Sequence, residues 1–192
     1  MKALILLATL KKDKPSNTET LSRFLMDRMK EKGVDTELVK LVNHRILPGT
    51  KSDMGDGDEW PSILEKIFVA DILIFATPVW WGSHSSEMQR VIERLDELHD
   101  EILQGKTSRL YRKIGGIVVT GDSDGAEHII GNIANFFNAI GILFPPYATL
   151  TVLDKKQEKG SVATQEDLLQ MYKKEYTKTA DTMIGEFKKS LG

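Results

Sequence analysis

Three short stretches of the sequence combine residue types that could hold a small ligand. Residues 9–18 end in Pro-Ser-Asn-Thr, residues 77–86 contain two adjacent tryptophans, and residues 120–128 contain two glycines. Each stretch follows an apolar run typical of a buried strand, and each is rich in small, hydroxyl and glycine residues. Because open α/β sheets bind ligands in the crevice outside the carboxyl ends of their strands, these loops are predicted to build one composite site.

The first stretch could bind an anion at a helix start. Ser16, Asn17 and Thr18 place hydroxyl and amide groups beside the free N–H groups of a first helical turn, where the helix dipole favours negative charge. Lys11 could add a positive charge. The same residues followed by Glu19 also form a capping box, which needs no ligand, and this stretch taken alone favours the plain cap.

The second stretch offers an aromatic surface. Pro78 lacks an N–H for a sheet ladder, so the preceding strand is expected to end at about residue 76. Trp80 and Trp81, followed by Gly82, could seat a flat ligand against large rings and free backbone N–H groups. The alternative is that both tryptophans cover the edge of the sheet as core residues, and the loop alone leaves these two interpretations even.

The third stretch brings two glycines to a turn. Gly121 and Gly125 permit positive φ and a close approach of the backbone to a planar ligand. Asp122 and Asp124 are also common turn residues, so they need no ligand. Of the four histidines, His84 is the better functional candidate because it closely follows the tryptophan pair, and a catalytic role for it stays open.

Composition restricts the class of protein. The 192 residues, 41% of them hydrophobic, suit one globular domain over residues 1–192, and the net charge of −2 predicts neither nucleic-acid binding nor attachment to an anionic membrane. The chain has no cysteine, which excludes thiolate catalysis, disulfides and Cys-held iron–sulfur clusters. His44 and His99 lack partners at ligand spacing, so no metal site is expected. The apolar N-terminus lacks a signal-peptide cleavage site, and a cytoplasmic location is expected.

Apolar periodicity predicts strands that alternate with helices. The predicted strands cover residues 3–8, 36–42, 72–76, 114–120 and 147–153. The predicted helices cover residues 17–32, 61–69, 87–103, 126–140 and 165–191. Residues 43–59 form a long loop that is expected to be a mobile edge of the site.

This alternation predicts an α/β fold, a doubly wound parallel sheet with helices on both faces. A two-domain dinucleotide enzyme is disfavoured because no G-x-G-x-x-G follows the first strand. A flavodoxin-like five-stranded sheet of order 2-1-3-4-5 fits, with its switch point between the first and third strands. A signalling receiver would share that strand order. This chain does not resemble such proteins, because it lacks their paired acids after the first strand.

Taken together, the three stretches resemble the NADPH-dependent FMN reductase family of flavodoxin-like proteins. The most specific part is TPVWWGS at residues 77–83 followed by SSEMQRVIERLD, which is similar to the family's S-P-x-Y-W-G-S and Q-x-K-x-F-I-D-R. The resemblance covers about residues 2–153. It departs from the family pattern in Ala8-Thr9-Leu10-Lys11, where the family has Gly-Ser-x-Arg, and in Trp80, where the family has Tyr.

The resemblance implies that FMN lies among the three stretches, with its phosphate at the first and its ring between the second and third. The residues implied are Thr9, Lys11, Ser16, Asn17 and Thr18 in the first stretch, Pro78, Val79, Trp80, Trp81 and Gly82 in the second, and Thr120, Gly121, Asp122 and Gly125 in the third. Lysine at position 11 keeps the positive charge of the family's arginine but loses its planar fork.

The resemblance also implies an oxidoreductase activity. In that family NADPH or NADH reduces FMN, and the flavin then passes electrons to a small acceptor such as a quinone, a flavin, or a nitro or azo compound. Such catalysis is based on the flavin and needs no nucleophilic side chain. A flavodoxin-type electron carrier is the alternative. This chain, with its net charge of −2, does not resemble the strongly acidic carriers of that type. The family's members are mostly homodimers or homotetramers, which is the assembly expected here.

Overall fold

A five-stranded parallel sheet of order β2-β1-β3-β4-β5 lies at the centre of the computed structural model, which describes residues Met1–Gly192. The strands are β1 (Lys2–Leu7), β2 (Asp35–Lys40), β3 (Ile72–Pro78), β4 (Ile114–Gly121) and β5 (Thr149–Leu153). The helices are α1 (Asn17–Glu31), α2 (Trp60–Val69), α3 (Ser86–Arg94), α4 (Asp96–Leu103), α5 (Ala126–Ile140), α6 (Gln165–Glu175) and α7 (Thr177–Leu191). The predicted fold class and strand order are confirmed.

The sheet is buried on both faces, which is why its inner strands read as continuous apolar runs. Alternate residues of β1, such as Leu4 and Ile5, belong to separate hydrophobic clusters. One cluster contains side chains of α2, α3, α4 and α5, and the other contains side chains of α1, α6 and α7. None of these helices is long and apolar enough to cross a membrane.

The strand β3 does not end at residue 76 as predicted. Thr77 and Pro78 continue it and lie opposite Val119 and Thr120 of β4. Because the N–H of Val79 donates to the carbonyl of Thr120, the nitrogen of Pro78 faces the other neighbour, β1. An N–H at position 78 would donate to the carbonyl of Ala8, but that carbonyl accepts from the hydroxyl of Ser85 at 2.6 Å, so the proline leaves no acceptor unpaired.

The two longest predicted helices are each divided in two, so the five predicted helices are seven. The break between α3 and α4 falls at Leu95, and that between α6 and α7 falls at Tyr176, where φ is −115° and ψ is 0°. Residues on both sides of each break are ordinary helix formers, so apolar periodicity did not predict the breaks.

The strand β5 begins at Thr149, not at 147, because Tyr147 has a left-handed φ of 59° that a strand cannot accommodate.

The long connection between β2 and α2 is fastened to α3 by two arginines, Arg94 through three acceptors and Arg90 through the carbonyl of Ile46 at 3.3 Å. The guanidinium of Arg94 donates to Asp58 Oδ2 at 2.6 Å and to the carbonyls of Lys51 and Leu47 at 2.8 Å each. Neither side chain of the Arg94–Asp58 pair is exposed to solvent. These contacts argue against the mobility that the sequence suggests for residues 43–59.

The environment of Asp58 favours its charged form. Burial by itself would raise the pKa of the Asp58 carboxyl, but hydrogen bonds from Arg94 and from the N–H groups of Met54, Trp60 and Leu47 hold that pKa well below its ordinary value. A depressed folded-state pKa contributes stability above the pKa of the unfolded chain, and that stability is lost as the pH falls through the folded value.

Arg94→Met is expected to lower the free energy of unfolding at neutral pH by about 3–5 kcal/mol, because it leaves the Asp58 carboxylate buried without its counter-charge. Urea denaturation measures the loss. The difference from wild type should shrink in acid, since a protonated Asp58 needs no counter-charge.

Lys189→Met is the control. It breaks the exposed pair of Lys189 and Glu186 and should change stability by less than about 1 kcal/mol. An Arg94→Met variant no less stable than this control would contradict the account of the connection.

Candidate functional site

The carboxyl ends of β1, β3 and β4 meet at the switch point of the sheet, where the chain first runs outward to β2 and later returns to β3. Three connections leave the sheet there: the first loop (residues 8–16), the second loop (residues 79–85) and the third loop (residues 122–125). The site predicted from the sequence therefore lies on adjacent strands, and hydrogen bonds hold its three loops together.

Ser85 joins the first loop to the second. Its hydroxyl donates to the carbonyl of Ala8 at 2.6 Å, and its N–H donates to Thr77 Oγ1 at 3.0 Å. The same hydroxyl caps α3 by accepting from the N–H of Met88 at 3.3 Å. Ser85 is fully buried, so these contacts fix the end of β1 against the end of β3.

Thr120 joins the third loop to the other two. Its hydroxyl lies 2.6 Å from that of Thr18, and both residues are buried. Its carbonyl accepts from the N–H of Val79 at 2.8 Å. The hydroxyls of Thr18 and Thr120 are therefore occupied with each other, and they position the loops.

The second loop contains a strained tight turn at its two tryptophans. Trp80 and Ser83 exchange backbone hydrogen bonds of 2.7 and 2.9 Å, while Trp81 and Gly82 between them have φ values of 49° and 72°. Positive φ at both central positions defines a type I′ turn, which is unfavourable for a tryptophan. A Cβ on Gly125 would lie 2.8 Å from the Cα of Gly82, so only glycine lets the third loop approach this closely.

The two tryptophans are not core residues. Trp81 is 99% exposed and Trp80 is 48% exposed. The interpretation that they cover the edge of the sheet as core is therefore wrong. Large aromatic side chains in solvent on a strained turn are consistent with a surface that contacts a ligand or a second chain.

The start of α1 has unused hydrogen-bond donors. Ser16 is the N-cap and accepts from the N–H of Glu19 at 3.0 Å, whereas the N–H groups of Asn17 and Thr18 have no acceptor within the protein. The side chain of Lys11 is exposed and unpaired, and Thr9 is buried, with its hydroxyl accepting from the N–H of Lys11. The predicted capping box is only half formed, because the Glu19 carboxylate binds Arg23 instead of the N–H of Ser16, and the helix start keeps free donors for an anion.

A fourth segment, which the sequence reasoning missed, closes the site beyond β5. Gln157 donates to the carbonyls of Gly121 and Val152 at 3.0 and 2.8 Å and accepts from the hydroxyl of Tyr172 at 3.0 Å. Its own carbonyl accepts from the side-chain amide of Asn17 at 3.2 Å. A lone glutamine in a charged linker carries no motif, so no signal in the sequence could have found it.

The remaining candidates lie at the rim. Asp122 is exposed and accepts from the hydroxyl of Ser123 at 3.1 Å. The ring nitrogens of His84 lie 3.2 Å from the carbonyl of Ser85 and 3.2 Å from Asn132 Oδ1, which ties the imidazole to α5. The structure contains no group of three or more side chains arranged to hold a metal ion.

Comparison with known proteins identifies a family pattern over most of the chain. The family model described as NADPH-dependent FMN reductase matches residues 1–156. The 8-demethyl-8-aminoriboflavin-5'-phosphate synthase of Streptomyces davaonensis is 36% identical over 163 residues, which cover 77% of this chain and 62% of the synthase. The FMN-dependent NADPH-azoreductase of Staphylococcus aureus is 28% identical over 123 residues, covering 62% of this chain and 63% of the azoreductase.

Structural similarity extends along the whole chain. The crystal structure of RosB with bound 8-demethyl-8-formylriboflavin-5'-phosphate superposes with a TM-score of 0.81 at 27% identity, covering 99% of this chain and 78% of RosB.

One further relative in sequence is much longer than this chain. A protein of Mycobacterium bovis named divalent metal cation transporter MntH is 33% identical over 153 residues, 77% of this chain, but this chain spans only 22% of its length.

Ser85→Ala is expected to lower the free energy of unfolding by about 1–2 kcal/mol, because the carbonyl of Ala8 loses its donor and α3 loses its cap. Urea denaturation measures the change. Ser86→Ala, at the exposed neighbouring position, is the matched control and should be nearly neutral. Equal stability of the two variants would show that Ser85 does not hold the loops together.

Proposed function

The chain belongs to the NADPH-dependent FMN reductase family, and from this premise we propose that it is an oxidoreductase that passes a hydride from NADPH or NADH through FMN to a small acceptor. FMN, when bound, supplies the redox chemistry, taking up the hydride and releasing reducing equivalents to the second substrate. The proposed acceptors are quinones, flavins, and nitro or azo compounds. The proposal depends on one observation above all: free backbone N–H groups lie at the start of α1 and in the second loop, which follow the carboxyl ends of the adjacent strands β1 and β3.

The donors at the start of α1 fit a phosphate. The N–H groups of Asn17 and Thr18 lack acceptors, and the dipole of a 15-residue helix favours an anion at this end. Lys11, in the first loop, adds an exposed ammonium group without a partner in the protein. The carboxylate of Glu19 would repel a phosphate, but it is turned away and hydrogen-bonded to Arg23 at 2.8 Å.

The second and third loops fit a flat ring. The N–H groups of Trp81 and Gly82 have no acceptor within the protein, and the absence of a side chain at Gly125 lets the third loop pack directly against Gly82. Backbone donors fixed in a tight turn would stabilise the negative charge that the ring gains on reduction, since they need no reorganisation. Pro78 and Gly121, at the ends of β3 and β4, support these two loops.

The chain supplies no other obvious chemistry. It has no cysteine, and the site brings together no nucleophile with a neighbouring base. His84 is our candidate for a catalytic side chain, but its ring nitrogens already lie against Ser85 and Asn132, so the proposal does not depend on it. The residues of the site would bind and orient the cofactor, and the exposed rings of Trp80 and Trp81 would flank the substrates.

The relatives support both the cofactor and the reaction. The relative from Staphylococcus aureus is an FMN-dependent NADPH-azoreductase, and the RosB structure contains a riboflavin 5'-phosphate derivative. Because this chain spans less than two thirds of the length of the synthase and the azoreductase, their substrates enter here only as candidates. A cytoplasmic location and the absence of nucleic-acid and membrane partners are part of the same proposal.

The test is a visible absorption spectrum of the purified protein after incubation with excess FMN and desalting, followed by anaerobic addition of NADPH. We expect retained yellow colour that bleaches with NADPH, because the site would hold FMN and admit the nicotinamide. A Gly125→Val variant is the control and should lose the colour, since its side chain would collide with Gly82.

The other outcomes separate the alternatives. Retained colour without bleaching would favour the flavodoxin-type electron carrier, which the net charge of −2 disfavours. A protein that retains no flavin at all would contradict the proposal, and the three loops would then be caps and turns only.

Assembly is proposed from the exposed tryptophan. We expect a homodimer or homotetramer in which Trp81 contacts a second copy beside the flavin, because a fully exposed tryptophan on a strained turn is typical of a contact surface. Trp81→Ala should shift size-exclusion elution toward the monomer and weaken FMN binding together. Leu103→Ala, at an exposed apolar residue on α4, is the control and should change neither. Unchanged elution and FMN affinity in Trp81→Ala would refute this assembly.

A further inference from the structure

Within the first loop, residues 10–15 are held to the rest of the protein by a single side chain. Lys40, the last residue of β2, lies opposite Leu7 at the end of β1. Its ammonium donates to the carbonyls of Lys12 and Lys14 at 3.0 and 3.5 Å. These are the only hydrogen bonds that residues 10–15 make with another element.

The same ammonium faces a carboxylate in the first turn of α1. Lys40 Nζ lies 3.0 Å from Glu19 Oε2, while Glu19 Oε1 accepts from Arg23 at 2.8 Å. Burial would raise the pKa of the Glu19 carboxyl, but Arg23 and Lys40 together lower it below its ordinary value. Glu19 therefore stays charged, and its charge is drawn away from the helix start.

Lys40 is not an ordinary surface lysine. Its side chain is only 13% exposed, and its ammonium lies within 3.5 Å of three oxygens, the carbonyls of Lys12 and Lys14 and Glu19 Oε2. In a trans peptide the N–H points opposite to the carbonyl, so the bond to Lys12 fixes the N–H of Asp13 in the direction away from Lys40. The N–H of Asp13 has no acceptor within the protein.

We propose that Lys40 is a positioning residue that clamps the first loop in the form that recognises the phosphate of FMN, an inference that rests on the proposed function. Lys40 does not itself face the phosphate, because its ammonium lies against these three oxygens. It holds the carbonyls of Lys12 and Lys14 on the β2 side of the loop and neutralises Glu19 there. Both effects favour an anion at the start of α1.

Flavin titrations, followed by the quenching of flavin fluorescence, test this role with FMN and with riboflavin, which lacks the phosphate. Lys40→Met should weaken FMN binding by about tenfold and leave riboflavin binding within about twofold, because only the phosphate end is disturbed. Lys40→Arg keeps the charge and the donors and should retain most of the FMN affinity. Lys30→Met removes an exposed lysine near the other end of α1 and should change neither affinity.

A double variant separates the clamp from simple charge compensation. If Lys40 only neutralised Glu19, Glu19→Gln combined with Lys40→Met would restore the FMN affinity, and the clamp would be refuted. We expect the affinity to stay low, since the loop carbonyls still lack their donor. Backbone nitrogen-15 relaxation of the flavin-free protein is an independent readout, and residues 10–14 should show lower order parameters in Lys40→Met than in Lys30→Met.

The outcomes also distinguish this inference from the proposed function. Wild-type protein that binds neither flavin would overturn the proposed function. Wild-type protein that binds FMN, with Lys40→Met unchanged or equally weakened for both flavins, would overturn the role of Lys40 alone. If Lys40→Met does not fold, as judged by circular dichroism, Lys40→Gln in the same titrations decides the question by the same criteria.

Discussion

The hydroxyl of Ser85 donates to the carbonyl of Ala8 while its N–H donates to Thr77, and this pair of buried bonds joins the ends of β1 and β3. A buried carbonyl without a donor costs about 1–3 kcal/mol, so the second loop cannot leave the first without a penalty. The contact of Thr18 with Thr120 adds the third loop in the same way. With these groups occupied by each other, other backbone N–H groups of the loops stay free for a ligand.

Charge is arranged around this scaffold so that the start of α1 stays attractive to an anion. The one carboxylate in the first turn of α1, that of Glu19, is directed to Arg23 and Lys40. On the neighbouring connection, the buried pair of Arg94 and Asp58 holds the chain against α3 without leaving a charge exposed. A site whose donors are fixed before the ligand arrives loses less conformational entropy on binding, which favours tight retention of a cofactor.

The sequence was sufficient for the architecture because the apolar runs of β1, β3 and β4 have the pattern of strands buried on both faces. It also located the three loops, since glycine, hydroxyl and tryptophan residues cluster where the strands end. It could not locate Gln157 or Lys40, whose roles arise from contacts with distant segments. The helix break at Leu95 was missed as well, because apolar periodicity predicts which face of a helix is buried. It does not predict where one residue departs from helical backbone angles.

The most direct measurement is the change in backbone amide chemical shifts when FMN is titrated into isotopically labelled protein. We expect the largest changes at the N–H groups of five residues from three segments far apart in the sequence: Asn17 and Thr18 at the start of α1, Trp81 and Gly82 in the second loop, and Gly125 in the third loop. Small changes at these residues, with large ones at the amino ends of the strands near Tyr111 and Tyr147, would contradict a flavin site at the carboxyl ends.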